Sequence, residues 1–219
     1  MTEPHFHPTS QSDSINTPGS HRITTVHRLM PWALALGSWL AMNVSAQAHP
    51  GHPGANGFAD GLVHPLYGLD HLLVMIAVGL WAGQRGGRAL WLIPTAFLGT
   101  MALGVALGWT GVSLPLMETG IVASGIILGL LVATACRWSL LASSALVGLF
   151  GLFHGYAHGA ELLRVTSPWL CGAGLLLTTA LLHLIGMGMA LATRMANPRG
   201  LRYAGAAVIL AAVWIWLAP

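Results

Sequence analysis

Two short stretches carry nearly all the chemistry available to this chain. One reads His64-Pro65-Leu66-Tyr67-Gly68-Leu69-Asp70-His71 and the other Phe153-His154-Gly155-Tyr156-Ala157-His158-Gly159-Ala160-Glu161. Each adjoins a long apolar segment, where an ionisable side chain is costly and therefore points to function. Imidazole and carboxylate donors together suit a divalent first-row transition metal. On a helix His154, His158 and Glu161 fall at i, i+4 and i+7, so successive turns present all three on one face. The ordinary alternative has each imidazole bonded to a backbone carbonyl and Glu161 paired with Arg164, three residues on. Two imidazoles with an acid in register favour the metal. In the first stretch Pro65 and Gly68 disfavour an unbroken helix. His64 is therefore expected on an extended or broken turn, with Asp70 and His71 opening the regular helix. Irregular backbone at membrane depth is tolerated where it lines a cavity. Asp70 either ligates directly or orients His71.

The charge balance sharpens this reading. Asp70 and Glu161 bring two negative charges, and an unpaired carboxylate in low dielectric costs several kcal/mol. A transiting dication supplies the compensation; protonation of the acids is the competing resolution and suits a proton-coupled mechanism. Three further histidines are auxiliary candidates. His49 and His52 head the mature chain, where they could capture metal at the entrance, and His183 lies in mid-segment with Met187 and Met189 beyond it. Met75, one turn past His71, reads more simply as core filler.

These residues must be positioned by a membrane protein. The 219 residues are 55% hydrophobic and 7% charged, with a mean hydropathy of +0.70, against about 25% charged in an average soluble domain. Nine arginines, no lysine and six acids leave no basic patch or known motif for nucleic acid. Cys136 and Cys171 lie near opposite ends of different apolar segments, form no C-x-x-C pair and are not expected to be bridged. Residues 1–48 read as a polar leader and secretory signal peptide: His27-Arg28, an apolar run from Leu29 to Val44, then Ser45-Ala46-Gln47-Ala48, with cleavage expected after Ala48. The alternative is an uncleaved first membrane helix, and either places His49 on the outer face.

Residues 49–219 read as one all-α, polytopic membrane domain, a bundle of six transmembrane helices over about 63–83, 89–109, 116–136, 140–162, 168–192 and 201–218. Arg85, Arg88, Arg137, Arg194, Arg199 and Arg202 fall in alternate loops, with Arg164 and Glu118 in the others. That bias makes the arginine-rich loops cytoplasmic and puts both mature termini on the periplasmic or exterior side. Glycines at small-x-x-x-small spacing, as in Gly104…Gly108, Gly125…Gly129 and Gly155…Gly159, let helix backbones approach closely. Trp109, Trp169, Trp214 and Trp216 sit near segment ends, as an interfacial belt requires.

The two stretches resemble the HupE/UreJ family of bacterial nickel and cobalt permeases, associated with hydrogenase and urease maturation. His64, Asp70 and His71 meet its H-x5-D-H signature. Phe153, His154, Gly155, Ala157, His158, Gly159 and Glu161 meet its F-H-G-x-[A/V]-H-G-x-E signature. The signal peptide, the start at His49-Pro50-Gly51 and Gly86-Gly87-Arg88 are also similar, and the likeness covers about residues 49–191. It implies a small secondary carrier that brings Ni²⁺, or Co²⁺, into the cytoplasm without ATP, along a path built from the matched His, Asp and Glu residues.

The expected function is thus a permease whose cargo is the metal, with no tightly bound cofactor and with the lipid bilayer and the ion as its partners. No nucleotide-binding motif is present, so the energy comes from a gradient or a partner protein. Two other classes are a membrane metalloenzyme and a metal sensor. A membrane metalloenzyme lacks support because H-E-x-x-H is absent and diiron oxygenases need more histidines. A metal sensor would bind stoichiometrically without flux.

Overall fold

The computed structural model describes residues 57–162, 165–196 and 199–217, and every regular element among them is helical. The leader, its cleavage point after Ala48, His49, His52 and Arg164 lie outside these residues. Seven helices follow in order: α1 Phe58–Tyr67, α2 Leu69–Arg85, α3 Ala89–Gly108, α4 Met117–Thr134, α5 Leu140–Leu162, α6 Pro168–Ala196 and α7 Arg199–Leu217. Helices α3 to α7, five in all, are each long and apolar enough to cross a bilayer; α1 and α2 reach that length only as a pair, bent by 90°.

The bend lies at Gly68, whose extended backbone (φ −90°, ψ 106°) ends α1 and starts α2. The segment expected as one span from residue 63 is therefore broken, and Asp70 and His71 do open the regular helix. His64 differs from expectation: it is helical, not on an extended turn. Pro65 falls in the last turn of α1, so it removes a single i→i−4 bond, toward Gly61, just before the helix ends. At the start of α1 the Gly57 N–H donates to Asp60 Oδ2 at 2.9 Å, which satisfies one of the orphan donors.

Three helix pairs build the bundle: α3 with α5, α2 with α6, and α4 with α7. The expected glycines are where backbones meet. Gly151, Gly155 and Gly159 of α5 abut Phe97, Met101 and Val105 of α3, while Gly104 and Gly108 of α3 abut the Leu152–Tyr156 and Tyr156–Ala160 turns of α5. The register rises together, so α3 and α5 run parallel. So do α2 and α6, where Gly79 meets His183 and Gly83 meets Met187. Gly125 and Gly129 of α4 face Ala212 and Ile209 of α7, an antiparallel pair.

The end of the bundle bearing Arg85 is tied by polar bonds. Arg85 Nη1 donates to Ser143 Oγ, its Nη2 donates to the Trp138 carbonyl at 2.7 Å, and its guanidinium lies 5.4 Å from the Trp81 ring centroid. Trp81 Nε1 and Gln84 Nε2 donate to the carbonyls of Cys136 and Val132. Arg85, Arg88 and Arg137 line one hollow of about 300 Å³ there, so the first two arginine-bearing loops share one end of the molecule. At the other end Trp109 and Trp169 meet edge to face, 4.3 Å apart. Both cysteines are free.

Candidate metal site

Gly155 and Gly159 press the α5 backbone onto α3. His154 and His158 each stand one residue back, about 100° round the helix, and so turn toward α2 and α4. The bend at Gly68 folds α1 across the same end and brings His64 over the last turn of α5. The two stretches, 83 residues apart between His71 and His154, converge at the end of the bundle away from Arg85.

Three donor atoms meet at the rim. His64 Nε2 stands 2.8 Å from Glu161 Oε2 and 3.0 Å from His158 Nδ1, and the last two are 3.6 Å apart. A neutral His64 donates its Nε2 proton to Glu161, and His158 Nδ1 is left facing that same proton as an acceptor. Metal–ligand bonds of about 2.1 Å place neighbouring donors about 3.0 Å apart in an octahedral site and about 3.4 Å apart in a tetrahedral one. The three observed edges bracket those values. A dication could thus replace one shared proton with little movement of the side chains.

The cluster continues inward. The His71 ring packs edge to face on both His158 and His154, with centroids 4.4 and 4.8 Å away. Asp70 Oδ1 accepts the His71 backbone N–H at 2.9 Å and lies 2.9 Å from His71 Nδ1, so the carboxylate holds this ring rather than reaching the rim triad. Side-chain exposure falls from 56% at Glu161 through 35% at His64 and 13% at His71 to 4% at His158. His154 is fully buried. The order defines a funnel-like gradient of burial, with hydrophilic donors from an exposed rim to a buried floor.

Ser124 of α4 sets the floor. Its hydroxyl donates to the Ile121 carbonyl at 2.5 Å, so its oxygen accepts from His154 Nε2–H at 3.0 Å. That fixes the proton on Nε2 and leaves Nδ1 as a bare, buried lone pair without a partner. His158 Nε2 likewise has no hydrogen-bond partner. Buried polar atoms are normally satisfied, so two orphan nitrogens on neighbouring rings are consistent with a place for a ligand. The ordinary alternative, imidazoles bonded to carbonyls, does not describe these rings. The ion-pair partners of Asp70 and Glu161 among the described residues are imidazoles.

Six of the sequence-identified residues thus come together, with Asp70 behind His71 and His154 at the floor. His183 does not join them: it lies on α6 beyond the Phe97 ring. Ser124 was not singled out by sequence. Its signal was faint, a single serine one turn after Gly120, which itself abuts Phe153. Ser124→Ala is expected to lower metal uptake by about tenfold, the low end for losing a partner that orients a ligand. Uptake of labelled Ni²⁺ at matched membrane levels measures this; an unchanged rate would make Ser124 a packing residue only.

Residues 36–215 match the family model described as HupE / UreJ protein. The protein HupE of Rhizobium leguminosarum bv. viciae is 43% identical over 173 residues, which cover 78% of this chain and 90% of the relative. No solved structure gives a significant match.

Proposed function

Because the chain belongs to the HupE/UreJ family, a family of membrane proteins linked to hydrogenase and urease accessory function, we propose that it is a permease importing Ni²⁺, with Co²⁺ as a second cargo. The carrying observation is the rim triad of His64, His158 and Glu161, three donors at metal-ligand spacing, with an unpartnered nitrogen on each of His158 and His154 behind it. The ion sheds water at Glu161 and His64, passes to His158 and His71, and reaches His154. Asp70 and Glu161 supply the compensating charge. Mixed nitrogen and oxygen donors bind firmly enough to offset dehydration and weakly enough to release.

The proposal includes six spans in a bacterial inner membrane, α1 and α2 forming the first. A cleaved leader over 1–48 precedes a single domain over 49–219. The arginine loops are cytoplasmic and both mature termini periplasmic, so the funnel opens outward and import is the direction it serves. Nickel is chosen on the family, because N/O donor sets follow one affinity order whatever the protein. The cargo serves maturation of a nickel enzyme.

Labelled Ni²⁺ uptake by cells making the intact chain, against His64→Ala and Glu161→Gln at equal membrane levels, tests this. Uptake should fall at least tenfold in both variants, and excess Co²⁺ should compete better than Zn²⁺. Stoichiometric binding by the intact chain without flux would instead identify a sensor, and metal-dependent turnover of a substrate an enzyme.

A further inference from the structure

His183 is 1% exposed, and neither of its ring nitrogens has a hydrogen-bond partner. A neutral imidazole carries one donor and one acceptor, so both are stranded in the middle of α6. Its backbone packs on Gly79 of α2, eight residues past His71, which puts it about 12 Å deeper at 1.5 Å per residue. The Phe97 ring separates it from the outer cluster: its centroid lies 5.8 Å from that of His154 and 5.1 Å from that of His183, edge to face on the latter. Along the α2–α6 seam a second link runs past this ring. Met75, one turn beyond His71, has its sulfur 3.4 Å from the Thr179 hydroxyl, which donates to the Leu175 carbonyl at 2.9 Å, and Thr179 is one turn before His183. Both are fully buried.

We propose that His183 is a second, inner metal station, which takes the divalent cation after it leaves His154 and hands it toward the arginine-bearing end. The Phe97 ring is the apolar partition between the two stations, and the Met75–Thr179 contact offers intermediate donors beside it. This rests on the permease reading and adds a step to it. A packing histidine would be expected to satisfy at least one nitrogen, whereas a transfer ligand must keep a lone pair free. The stranded nitrogens on the inner side of Phe97 are the same chemistry as those on its outer side.

The experiment uses the purified full chain in proteoliposomes, with Ni²⁺ for flux and Co²⁺ as a spectroscopic probe. His183→Leu should keep outer-site Ni²⁺ affinity within about threefold of the intact chain while uptake drops at least tenfold. His183→Cys should add a thiolate-to-cobalt charge-transfer band absent from the intact chain, a signature that packing alone cannot produce. Should His183→Leu fold poorly, His183→Gln and the cobalt band decide. Full flux in the leucine or glutamine variant, or a cobalt-loaded cysteine variant without the band, would overturn the inner station. Absence of flux in the intact chain would instead remove the permease reading, so the two failures are distinguishable.

Discussion

Replacing His158 by alanine should reduce Ni²⁺ uptake roughly 100-fold or more, above the range for residues that only orient a ligand, without removing the protein from the membrane. His158 links the rim triad to the inner rings. Its Nδ1 faces both His64 and Glu161, its ring meets that of His71, and its Nε2 is buried without a partner. Removing it opens the triad at the rim and breaks the path to His154 at once. His64→Ala and Glu161→Gln should be milder, because both side chains are over a third exposed and water can stand in for the lost donor. His158→Phe separates ligation from packing, since it fills the ring's space but carries no lone pair. A phenylalanine variant that transports at the intact rate would sink the ligand role; one as inactive as alanine would support it. Equal membrane abundance, by immunoblot of washed membranes, is the necessary companion measurement.

The residues of this site were legible in sequence, but their meeting was only half so. The α5 face followed from spacing alone, because a helix fixes where i, i+4 and i+7 point. The break before Asp70 followed from Gly68. What periodicity could not supply was the direction of the bend. A turn of 90° at one extended glycine decides whether His64 swings over α5 or away from it, and that choice is made by packing against α6. There Gly61 and Gly174 bring the α1 and α6 backbones into contact and Thr178 Oγ1 donates to the Leu62 carbonyl. Pro65 suggests an extended backbone at His64, but the helix ends two residues later, at Tyr67, so the proline costs it only one bond. Ser124 and Phe97 were invisible for a different reason. A serine or a phenylalanine in an apolar segment has many ordinary uses, and only a partner from another helix singles it out. The stripe from His183 to Met187 and Met189 showed donors in mid-membrane, yet sequence spacing carries no information on which side of Phe97 they fall.

The close approach of α3 and α5 gives the second large effect, because the site has no position without it. Gly155→Ala adds one methyl group, and that carbon would fall on the Met101 backbone, with Gly104 of the same helix already against Gly155. Neither side of that contact is a flexible side chain, so the helices must separate. Overpacking of this kind costs about 1–3 kcal/mol, occasionally more, and a contact between two backbones belongs at the upper end. Gly99→Ala is the matched control: it lies in α3, has nothing within 4 Å of the added carbon, and gains up to about 1 kcal/mol from helix propensity. Thermal unfolding in detergent should therefore move in opposite directions for the two variants. Separation of α3 from α5 also rotates His154 and His158 away from Ser124 and His71, so Gly155→Ala should lose Ni²⁺ uptake even in the fraction that remains folded. Identical melting of the two alanine variants would mean that α3 and α5 are not in backbone contact. In that case the funnel must owe its shape to the bend at Gly68 and the α2–α6 seam.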